Sequence, residues 1–374
     1  MQGLQVLVLY NMPAEAPVKG RPEDSISEAG VLAAVAAVRQ ALLALGARPS
    51  TYGVRSHVRG LLARLARQRP DLVFNLCEGI GGEASFEYLI PGLLELEGIP
   101  YTGSPAAALV VCGDKVRTKQ LLAHHGLPTP AFRVVECGER PEGGPELAFP
   151  LFVKPAHEDA SLGIDASSVV HDAAQLASRV ASIHRLYLQP ALVEQYVDGR
   201  EFNLGVLGDG HSAAALPLAE IDFGGLPAGH PRIVSYEAKW VEDSPVYTGT
   251  PSVCPAPNVP PELAARIERV ACRAFELMDC RGYARVDLRV TACGRPQILE
   301  VNPNPDLSPD AGLAKAARAA GLGYEGLVRA IAETGLRAFE RPTRPAGETG
   351  VPAFGRIPEQ PPTRGEAASN RTSR

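Results

Sequence analysis

Short apolar runs alternate with longer helical patterns over the first part of the chain. Apolar runs bounded by polar residues are typical of buried strands, whereas alanine- and leucine-rich stretches with a period of three to four residues predict helices. In chain order the predicted strands are 5–10, 72–76 and 99–103, and the predicted helices are 27–45, 58–68 and 86–97. Strand and helix in this order predict a parallel, doubly wound sheet in an N-terminal domain, residues 1–110.

The rest of the chain predicts two α+β segments and a tail. We place a central domain at 111–201 and a C-terminal domain at 202–340. Their predicted strands are 131–135, 151–154, 191–195, 203–207, 283–290 and 296–301, and their predicted helices are 114–126, 173–183, 261–278, 311–320 and 325–338. The last segment, 341–374, is rich in Pro, Gly, Arg, Thr and Glu and has almost no large apolar residues. It buries too little apolar surface to fold, so it is predicted to be a disordered tail.

Composition and charge exclude several classes of protein. Of the 374 residues, 45% are hydrophobic and 21% are charged, as in ordinary globular proteins, and the net charge of -5 provides no basic surface for nucleic acid. The apolar run 4–10 is too short for a signal-peptide core or a membrane span, so we expect no membrane association. The seven cysteines form no CxxC pair, which argues against a zinc site and for free thiols. We therefore expect a cytoplasmic protein.

A pair of strands near the end of the folded part carries a distinctive set of polar residues. Glu300 and Asn302 are two residues apart in ILEVNPNPDLSPDAG, so in a strand they share a face and offer the oxygen ligands that Mg²⁺ prefers. Taken alone, this pattern also fits a strand running into a polar loop. Arg285 and Asp287 share a face of the preceding strand, and a hairpin would bring Asp287 close to Glu300. Neighbouring carboxylates repel unless a cation lies between them, so the hairpin predicts a magnesium site, with Arg285 available for a phosphoryl group.

Two further patterns point to a nucleotide. Lys154 ends an apolar strand and is followed by a small-residue loop, 160–163, an arrangement that can bring a cation and backbone N–H groups to a phosphate. The chain has no GxxxxGK[ST] motif, so this is not a P-loop of the Walker type. Glu194 ends the next apolar strand and Glu201 begins another after a turn. These two glutamates either flank a solvated hairpin or line an interdomain hinge that holds a nucleobase and its ribose.

Together these pieces, in this order and spacing, resemble the ATP-grasp superfamily and, within it, the D-alanine–D-alanine ligases. The similarity is continuous over about residues 70–335 and loose before that. The additional motifs that carry it are GGE at 81–83, GLLEL at 92–96, IPYTGS at 99–104, DKVRTK at 114–119 and YEAK at 236–239. The resemblance implies an α/β (α+β) ATP-grasp architecture with a doubly wound pre-grasp domain, a central ATP-lid domain and a C-terminal grasp domain.

The resemblance also implies a reaction and the residues that serve it. A carboxylate attacks the γ-phosphate of ATP to give an acylphosphate, and an amine then attacks that carbonyl and expels phosphate. The implied cofactors are ATP and two Mg²⁺ ions, with Mn²⁺ as an alternative metal. The implied ATP-binding residues are Lys115, Lys154, Lys239, Glu194, Val197 and Glu201; the metal ligands are Asp287, Glu300 and Asn302; and the catalytic residues are Arg285, Lys239, Glu23 and Ser161.

Several positions at the first-substrate end depart from the pattern of the D-alanine–D-alanine ligases. The glycine-rich opening loop is replaced, and Glu23 is the candidate for the glutamate that grips the ammonium of the first substrate. The loop serine of the family falls on Ala160, with Ser161 adjacent, and the tyrosine after YEAK is Trp240. The histidine before the family's glycine-rich GxGGE segment is Glu78. The first-substrate site is therefore only partly kept.

The acceptor end departs further from the family pattern. Asp306 stands where the family has a glycine whose N–H helps to hold the reacting carbonyl, and Ala311 stands where a serine holds the acceptor carboxylate. Asp306 still has an N–H group, so this contact can persist. We therefore expect a substrate pair other than two D-alanines. Asp306 and Asp310 favour an acceptor with an amino or other cationic group.

Three functions are compatible with the sequence. The first is an amino-acid or dipeptide ligase with altered specificity, the second a peptidoglycan D-alanine–D-alanine ligase, and the third a non-catalytic ATP-binding protein of the same fold. The full set of metal- and phosphate-binding residues disfavours the third. The expected partners are small amino-acid or peptide substrates. The sequence determines neither the substrates nor the pathway, and a homodimer is one oligomeric state compatible with it.

Overall fold

A computed structural model gives the structure of the protein for residues 1–12, 20, 30–141, 147–209 and 212–340. Met1–Phe339 form one compact unit. The remaining segment, Glu340–Arg374, is described only at Glu340, so the predicted disordered tail lies outside the described residues. Glu23 lies outside them as well.

Strands and helices alternate over the described residues. The strands are β1 (Gln5–Asn11), β2 (Arg48–Val54), β3 (Leu72–Leu76), β4 (Phe132–Val135), β5 (Leu151–Pro155), β6 (Val169–Val170), β7 (Ala191–Gln195), β8 (Arg200–Gly208), β9 (Ala214–Ala215), β10 (Ala219–Ile221), β11 (Ser252–Val253), β12 (Gly282–Val290) and β13 (Pro296–Asn302). The α-helices are α1 (Val31–Ala44), α2 (Arg59–Arg67), α3 (Leu89–Leu96), α4 (Ala106–Cys112), α5 (Lys115–His124), α6 (Ala173–Tyr187), α7 (Tyr236–Trp240), α8 (Pro245–Thr248), α9 (Pro261–Leu277), α10 (Gly312–Ala319) and α11 (Tyr324–Arg337).

The first sheet is parallel and has the strand order β2-β1-β3. Its central strand is apolar on both faces, because helices cover both. Val6 and Val8 belong to a core shared with α1 and α11, whereas Leu7 and Leu9 belong to a core shared with α2 and α3. Tyr101 adds a parallel bridge beyond β3. The predicted parallel, doubly wound sheet is confirmed.

The second sheet is antiparallel, with the order β4-β7-β5-β6. α6 packs on it, and alternating residues of its strands, such as Val153 and Val193, share a core with Leu176, Val180 and Ile183 of the helix. The alternation places these apolar residues on the helix side. Lys154 and Glu194, which neighbour the two valines along their strands, consequently point to the opposite face.

The third sheet is antiparallel, with the order β11-β10-β8-β12-β13 and the short β9 also paired to β8. The amphipathic helix α9 covers one face, where Ile267 and Phe275 pack with Phe202, Val286 and Ile298. α10 and α11 join the core that contains α1. The other face of β12 and β13 therefore carries the polar residues that the sequence singles out.

Elements that the sequence did not predict are short, polar or at a sheet edge. β2 contains Pro49 and lies at the edge of its sheet, where a residue without an N–H group is tolerated. β6, β9, β11 and α4 were not predicted either, and β10, α7 and α8 likewise carry too few residues to show a period. The predicted helix 86–97 begins only at Leu89. Among the described residues, no helix is long and apolar enough to cross a membrane.

The three sheets take their strands from the three predicted domains in turn, although the domain boundaries themselves remain predictions. β8 begins at Arg200, so a division after Glu201 would fall inside this strand. β7 and β8 belong to different sheets. The two glutamates at 194 and 201 therefore do not flank a hairpin, and the segment between them connects two sheets.

Candidate active site

A cavity of about 890 Å³ is lined by residues from all three sheets. The cavity is bordered by the polar faces of β5 and β7, by the hairpin of β12 and β13, and by the segment that follows β3. Almost all of the predicted site residues that the structure describes line this cavity: Ser161, Lys154, Glu194, Val197, Glu201, Lys239, Trp240, Arg285, Asp287, Glu300, Asn302, Asp306 and Asp310. Lys115 contributes through its contact with Glu300.

The hairpin of β12 and β13 forms the polar floor of the cavity. Asp287 and Glu300 are directly paired across the two strands, as the predicted hairpin requires, and Arg285 is paired with Asn302. Arg285 donates from Nε and Nη2 to the two oxygens of Asp287 at 2.7 and 2.8 Å. The amide nitrogen of Asn302 lies 3.1 Å from Asp287 and 3.4 Å from Glu300. Four polar side chains are thus held within contact of one another.

Lys115 adds a buried cation to this floor from the start of α5. The carboxylate of Asp114 caps the helix by accepting from the backbone N–H groups of Val116 and Arg117, which fixes the position of its first turn. Lys115 Nζ lies 2.7 Å from Asp159 and 3.5 Å from Glu300. The lysine therefore joins the loop after β5 to the hairpin.

The charges on the floor act on one another strongly. Burial alone would raise the pKa of Glu300, but Lys115, Lys154 and Arg285 outweigh it and hold that pKa well below its ordinary value. Burial raises the pKa of Asp287, and Arg285 only partly offsets this effect. Burial lowers the pKa of Lys239, as does its neighbour Arg285. Glu300 is thus held as a carboxylate in the middle of three cations.

A second buried ionic cluster joins the helix α5 to the second sheet. Glu194 lies 2.5 Å from Lys119 and 3.1 Å from Lys154, and all three side chains are at most 5% exposed. Burial would raise the pKa of Glu194, but the two lysines lower it below its ordinary value. Lys119 also donates to Thr129 at 2.6 Å, and burial lowers its pKa to about 8. Sequence reasoning placed Lys119 in the basic helix but missed this pairing.

Glu201 and Val197 at the predicted hinge meet a residue that sequence reasoning missed. Arg289 donates from Nε and Nη2 to Oε2 of Glu201 at 2.8 and 2.7 Å, and from Nη1 to the carbonyl of Val197 at 2.8 Å. It is 3% exposed and lines the cavity. Its one sequence signal is a charge between Leu288 and Val290 in an otherwise apolar stretch of strand.

The loop after β5 is closed over the cavity by hydrogen bonds to the segment around α7. Ser161 Oγ donates to the carbonyl of Val234 at 3.0 Å, and Trp240 Nε1 donates to the carbonyl of Ala160 at 2.9 Å. Ala160 and Ser161 have φ values of 52° and 61°, so the loop turns through the left-handed region at these two residues. Lys239 Nζ lies 5.2 Å from the centre of the Trp240 ring.

One wall of the cavity carries several carboxyl groups. Glu78 and Glu87 come from the segment after β3, and Asp306 and Asp310 come from the segment after β13. Burial and the charge of Asp306 raise the pKa of Glu78 to about 7, although Lys239 opposes this rise. Burial raises the pKa of Glu87 to about 8, although its contact with Asn304 opposes this rise. Glu78 and Glu87 therefore hold their protons more tightly than ordinary glutamates.

The sequence of the chain is similar to sequences of known proteins. The family described as "D-ala D-ala ligase C-terminus" matches residues 121–333, more than half of the chain. The D-alanine–D-alanine ligase of Bordetella pertussis is 36% identical over 313 residues, covering 82% of this chain and 90% of that protein. The chain belongs to the D-alanine–D-alanine ligase family. It is an ATP-dependent ligase of the ATP-grasp type that forms C–N bonds, as the sequence predicts.

The chain is also similar to an uncharacterized protein and to a solved structure. "Uncharacterized protein y4sG" of Sinorhizobium fredii is 34% identical over 342 residues, covering 89% of this chain and 94% of that protein. The solved structure of the Bacillus anthracis D-alanine–D-alanine ligase complexed with ATP has a TM-score of 0.70 at 23% identity, and it covers 90% of this chain and 99% of that one. This second likeness shows a shared fold.

Proposed function

We propose that this ligase joins amino acids or small peptides through an acylphosphate, and that its acceptor carries a second cationic group besides the reacting amine. The carboxyl-rich wall formed by Glu78, Glu87, Asp306 and Asp310 carries the proposal on the acceptor. Lys239 and Lys315 add two positive charges to the lining of the cavity, fewer than these four carboxyl groups. A cationic group on the substrate would relieve the repulsion among these carboxyl groups.

The proposed phosphoryl transfer takes place above the floor of the cavity. Arg285 keeps its charge at every accessible pH and, with Lys239 and Lys154 nearby, stabilises the negative charge of the transferring phosphoryl group. The donor carboxylate attacks the γ-phosphorus, the bond to the bridging oxygen breaks, and ADP leaves with the electron pair. The acceptor amine then attacks the acyl carbon, loses a proton and expels inorganic phosphate. The protein contributes positioning and fixed charge to both steps.

The donor set on the floor fits a hard divalent cation. Asp287 and Glu300 supply carboxylate oxygens. The amide nitrogen of Asn302 faces these two carboxylates, and a rotation of the amide group by 180° would place its oxygen there instead. Among the described residues, no group of three or more His, Cys, Asp or Glu side chains could hold a metal, so the proposed set depends on this amide. Bound Mg²⁺ would neutralise phosphate oxygens; we propose two ions.

The experiment that tests the proposal measures ATP-dependent phosphate release with a panel of amine acceptors. The panel contains D-alanine, L-alanine, glycine, basic amino acids and simple diamines, each paired with several donor amino acids. We expect the highest kcat/KM with acceptors that carry a second cationic group. Product formed from D-alanine alone, with no gain from basic acceptors, would overturn the proposed specificity while leaving the ligase assignment intact.

A peptidoglycan D-alanine–D-alanine ligase is the second candidate function. The observation that favours it is the 36% identity to the D-alanine–D-alanine ligase of Bordetella pertussis. The same panel distinguishes the two candidates, because this function requires D-alanine as both donor and acceptor. The absence of amino-acid-dependent phosphate release across the whole panel would instead favour a non-catalytic ATP-binding protein.

A further inference from the structure

Arg289 makes contacts with three separate segments around one end of the cavity. Its guanidinium group holds Glu201 on β8, the carbonyl of Val197 in the segment between β7 and β8, and the carbonyl of Arg232 in the segment before α7. The carbonyl of Arg232 also accepts from the hydroxyl of Tyr196 at 3.1 Å. A single side chain of the third sheet thus links the neighbouring strand β8, the connection between β7 and β8, and the segment before α7.

Aromatic rings fix the plane of the guanidinium group. Its central carbon lies 5.3 Å from the ring centre of Tyr196 and 5.4 Å from that of Phe223. The planar guanidinium group packs against aromatic rings and donates several hydrogen bonds in a fixed geometry. It therefore loses little additional conformational freedom when Glu201 and Val197 bind a ligand. Both hydrogen bonds from Arg289 to Glu201 are accepted by Oε2, and neither is accepted by Oε1.

We propose that Arg289 is a positioning residue for the nucleotide: it fixes the carboxylate of Glu201 and the backbone at Val197 where they receive the ribose and the base. This inference rests on the proposed nucleotide end of the cavity. Arg289 acts through these two groups. Preorganisation of this kind improves ligand affinity because the ordering cost is met during folding. Without Arg289, the buried negative charge of Glu201 would have no cationic partner. The carboxylate would then not hold its present position.

The test compares Arg289→Met, Arg289→Lys and a matched control, Arg200→Met. Arg200 lies on the neighbouring strand and makes a similar two-pronged pair with Glu220, at 2.6 Å for both contacts, but it does not line the cavity. Nucleotide affinity is measured by titration calorimetry with ATP and with 2′-deoxy-ATP in the absence of amino acids. Steady-state kinetics then give KM for ATP, KM for the amino acids, and kcat.

We expect Arg289→Met to weaken ATP binding about 10- to 100-fold, by analogy with the effect of losing residues that orient the ligands of a metal. It should also reduce the preference for ATP over 2′-deoxy-ATP, because the ribose contact of Glu201 is lost. The values of kcat and of KM for the amino acids should change less than about 3-fold. Arg289→Lys should restore part of the affinity, since it keeps the charge but not the fork. Arg200→Met should leave both nucleotide affinities unchanged.

An unchanged ATP affinity, or an unchanged preference between the two nucleotides, in Arg289→Met would overturn the proposal. If this variant does not fold, Arg289→Lys decides the question, because it retains the charge beside Glu201 and alters only the geometry. ATP binding is measured without amino acids, so a failure to find the acceptor would leave this test intact. If Arg289 proves not to position the nucleotide, the proposed acceptor specificity can still be tested with the panel of amine acceptors.

Discussion

Asp287 and Glu300 face each other across β12 and β13, and the strand register shifts directly after Asp287. The shift bends the hairpin at the point where the two carboxylates meet. Irregular pairing of this kind commonly changes the direction of a side chain next to an active site. Arg285 and Lys115 lie on either side of the pair. The site is therefore built so that two negative charges are adjacent and each already has a cationic neighbour.

Glu300→Gln should reduce kcat for ATP-dependent phosphate release at least about 100-fold, the scale of losing one preorganised electrostatic contact. The change removes a charge that the metal and Lys115 both need, yet it keeps the shape of the side chain. Circular dichroism should show an unchanged fold. Glu262→Gln, an exposed position on α9, is the control and should retain full activity. Undiminished turnover of Glu300→Gln would refute the metal assignment.

Lys119→Met should lower the free energy of unfolding by about 3 kcal/mol, because it leaves Glu194 buried with a single cationic partner. Chemical denaturation followed by circular dichroism measures the change. Arg273→Met removes an exposed ion pair to Glu276 on α9 and should cost less than about 0.5 kcal/mol. Equal losses in both variants would contradict the buried role of Lys119.

The raised pKa values of Glu78 and Glu87 predict a pH-dependent stability. These two groups bind more protons in the folded protein than in the unfolded chain between about pH 4.5 and 8, so they cause stability to fall as the pH rises through that window. For the half-buried Glu87, one full proton of difference corresponds to at most about 1.4 kcal/mol per pH unit, and Glu78, which is exposed, contributes less because solvent screens its charge. Glu87→Gln should remove part of this slope in urea denaturation between pH 5 and 8. Glu97→Gln, an exposed control, should preserve the slope.

Glu78→Gln should raise KM for a dicationic acceptor about 10-fold while changing KM for the donor and for ATP less than about 2-fold. The expected size corresponds to losing one charge-assisted contact of about 1.4 kcal/mol. Initial rates of phosphate release at varied acceptor concentration provide the measurement. An equal change in all three KM values would indicate a general disturbance of the cavity and would argue against an acceptor role.

Ser161→Ala should open the loop after β5, because the carbonyl of Val234 loses its donor. A lost hydrogen bond of about 1 kcal/mol predicts roughly a 5-fold rise in KM for ATP. Limited proteolysis should cleave the loop faster in the variant. Ser167→Ala, which changes an exposed serine bonded to Asp165 outside the cavity, is the matched control. If both variants behave alike, the closing role of Ser161 is wrong.

The sequence predicted those parts of the site that lie close together in the chain. The alternation of Arg285 and Asp287, and the short turn to Glu300, were enough to place the two carboxylates side by side, because register in a hairpin follows from its turn. The doubly wound first sheet followed from the order of strands and helices, whereas the ATP-grasp architecture followed from the resemblance to that superfamily. Lys154 and the hinge between Glu194 and Glu201 were also apparent, although their roles remain predictions.

The parts that the sequence did not predict depend on distant pairings. Arg289 and Glu201 meet because β12 pairs with β8, and no local pattern contains that pairing. Lys119 reaches Glu194 only because α5 packs beside the second sheet. Glu87, which follows β3, and Asp306, which follows β13, line the same cavity only because distant segments of the chain come together. Such contacts are decided by tertiary packing, which neither periodicity nor spacing records.

The contact between Trp240 and the carbonyl of Ala160 gives the enzyme a built-in optical signal. Trp240 is the single tryptophan of the chain, so all indole fluorescence comes from the residue that fastens the loop after β5. Its emission should report the hydration of that one contact, in a ring whose centre lies 5.2 Å from Lys239 Nζ. Opening and closing of the cavity can therefore be followed in real time without attaching a dye.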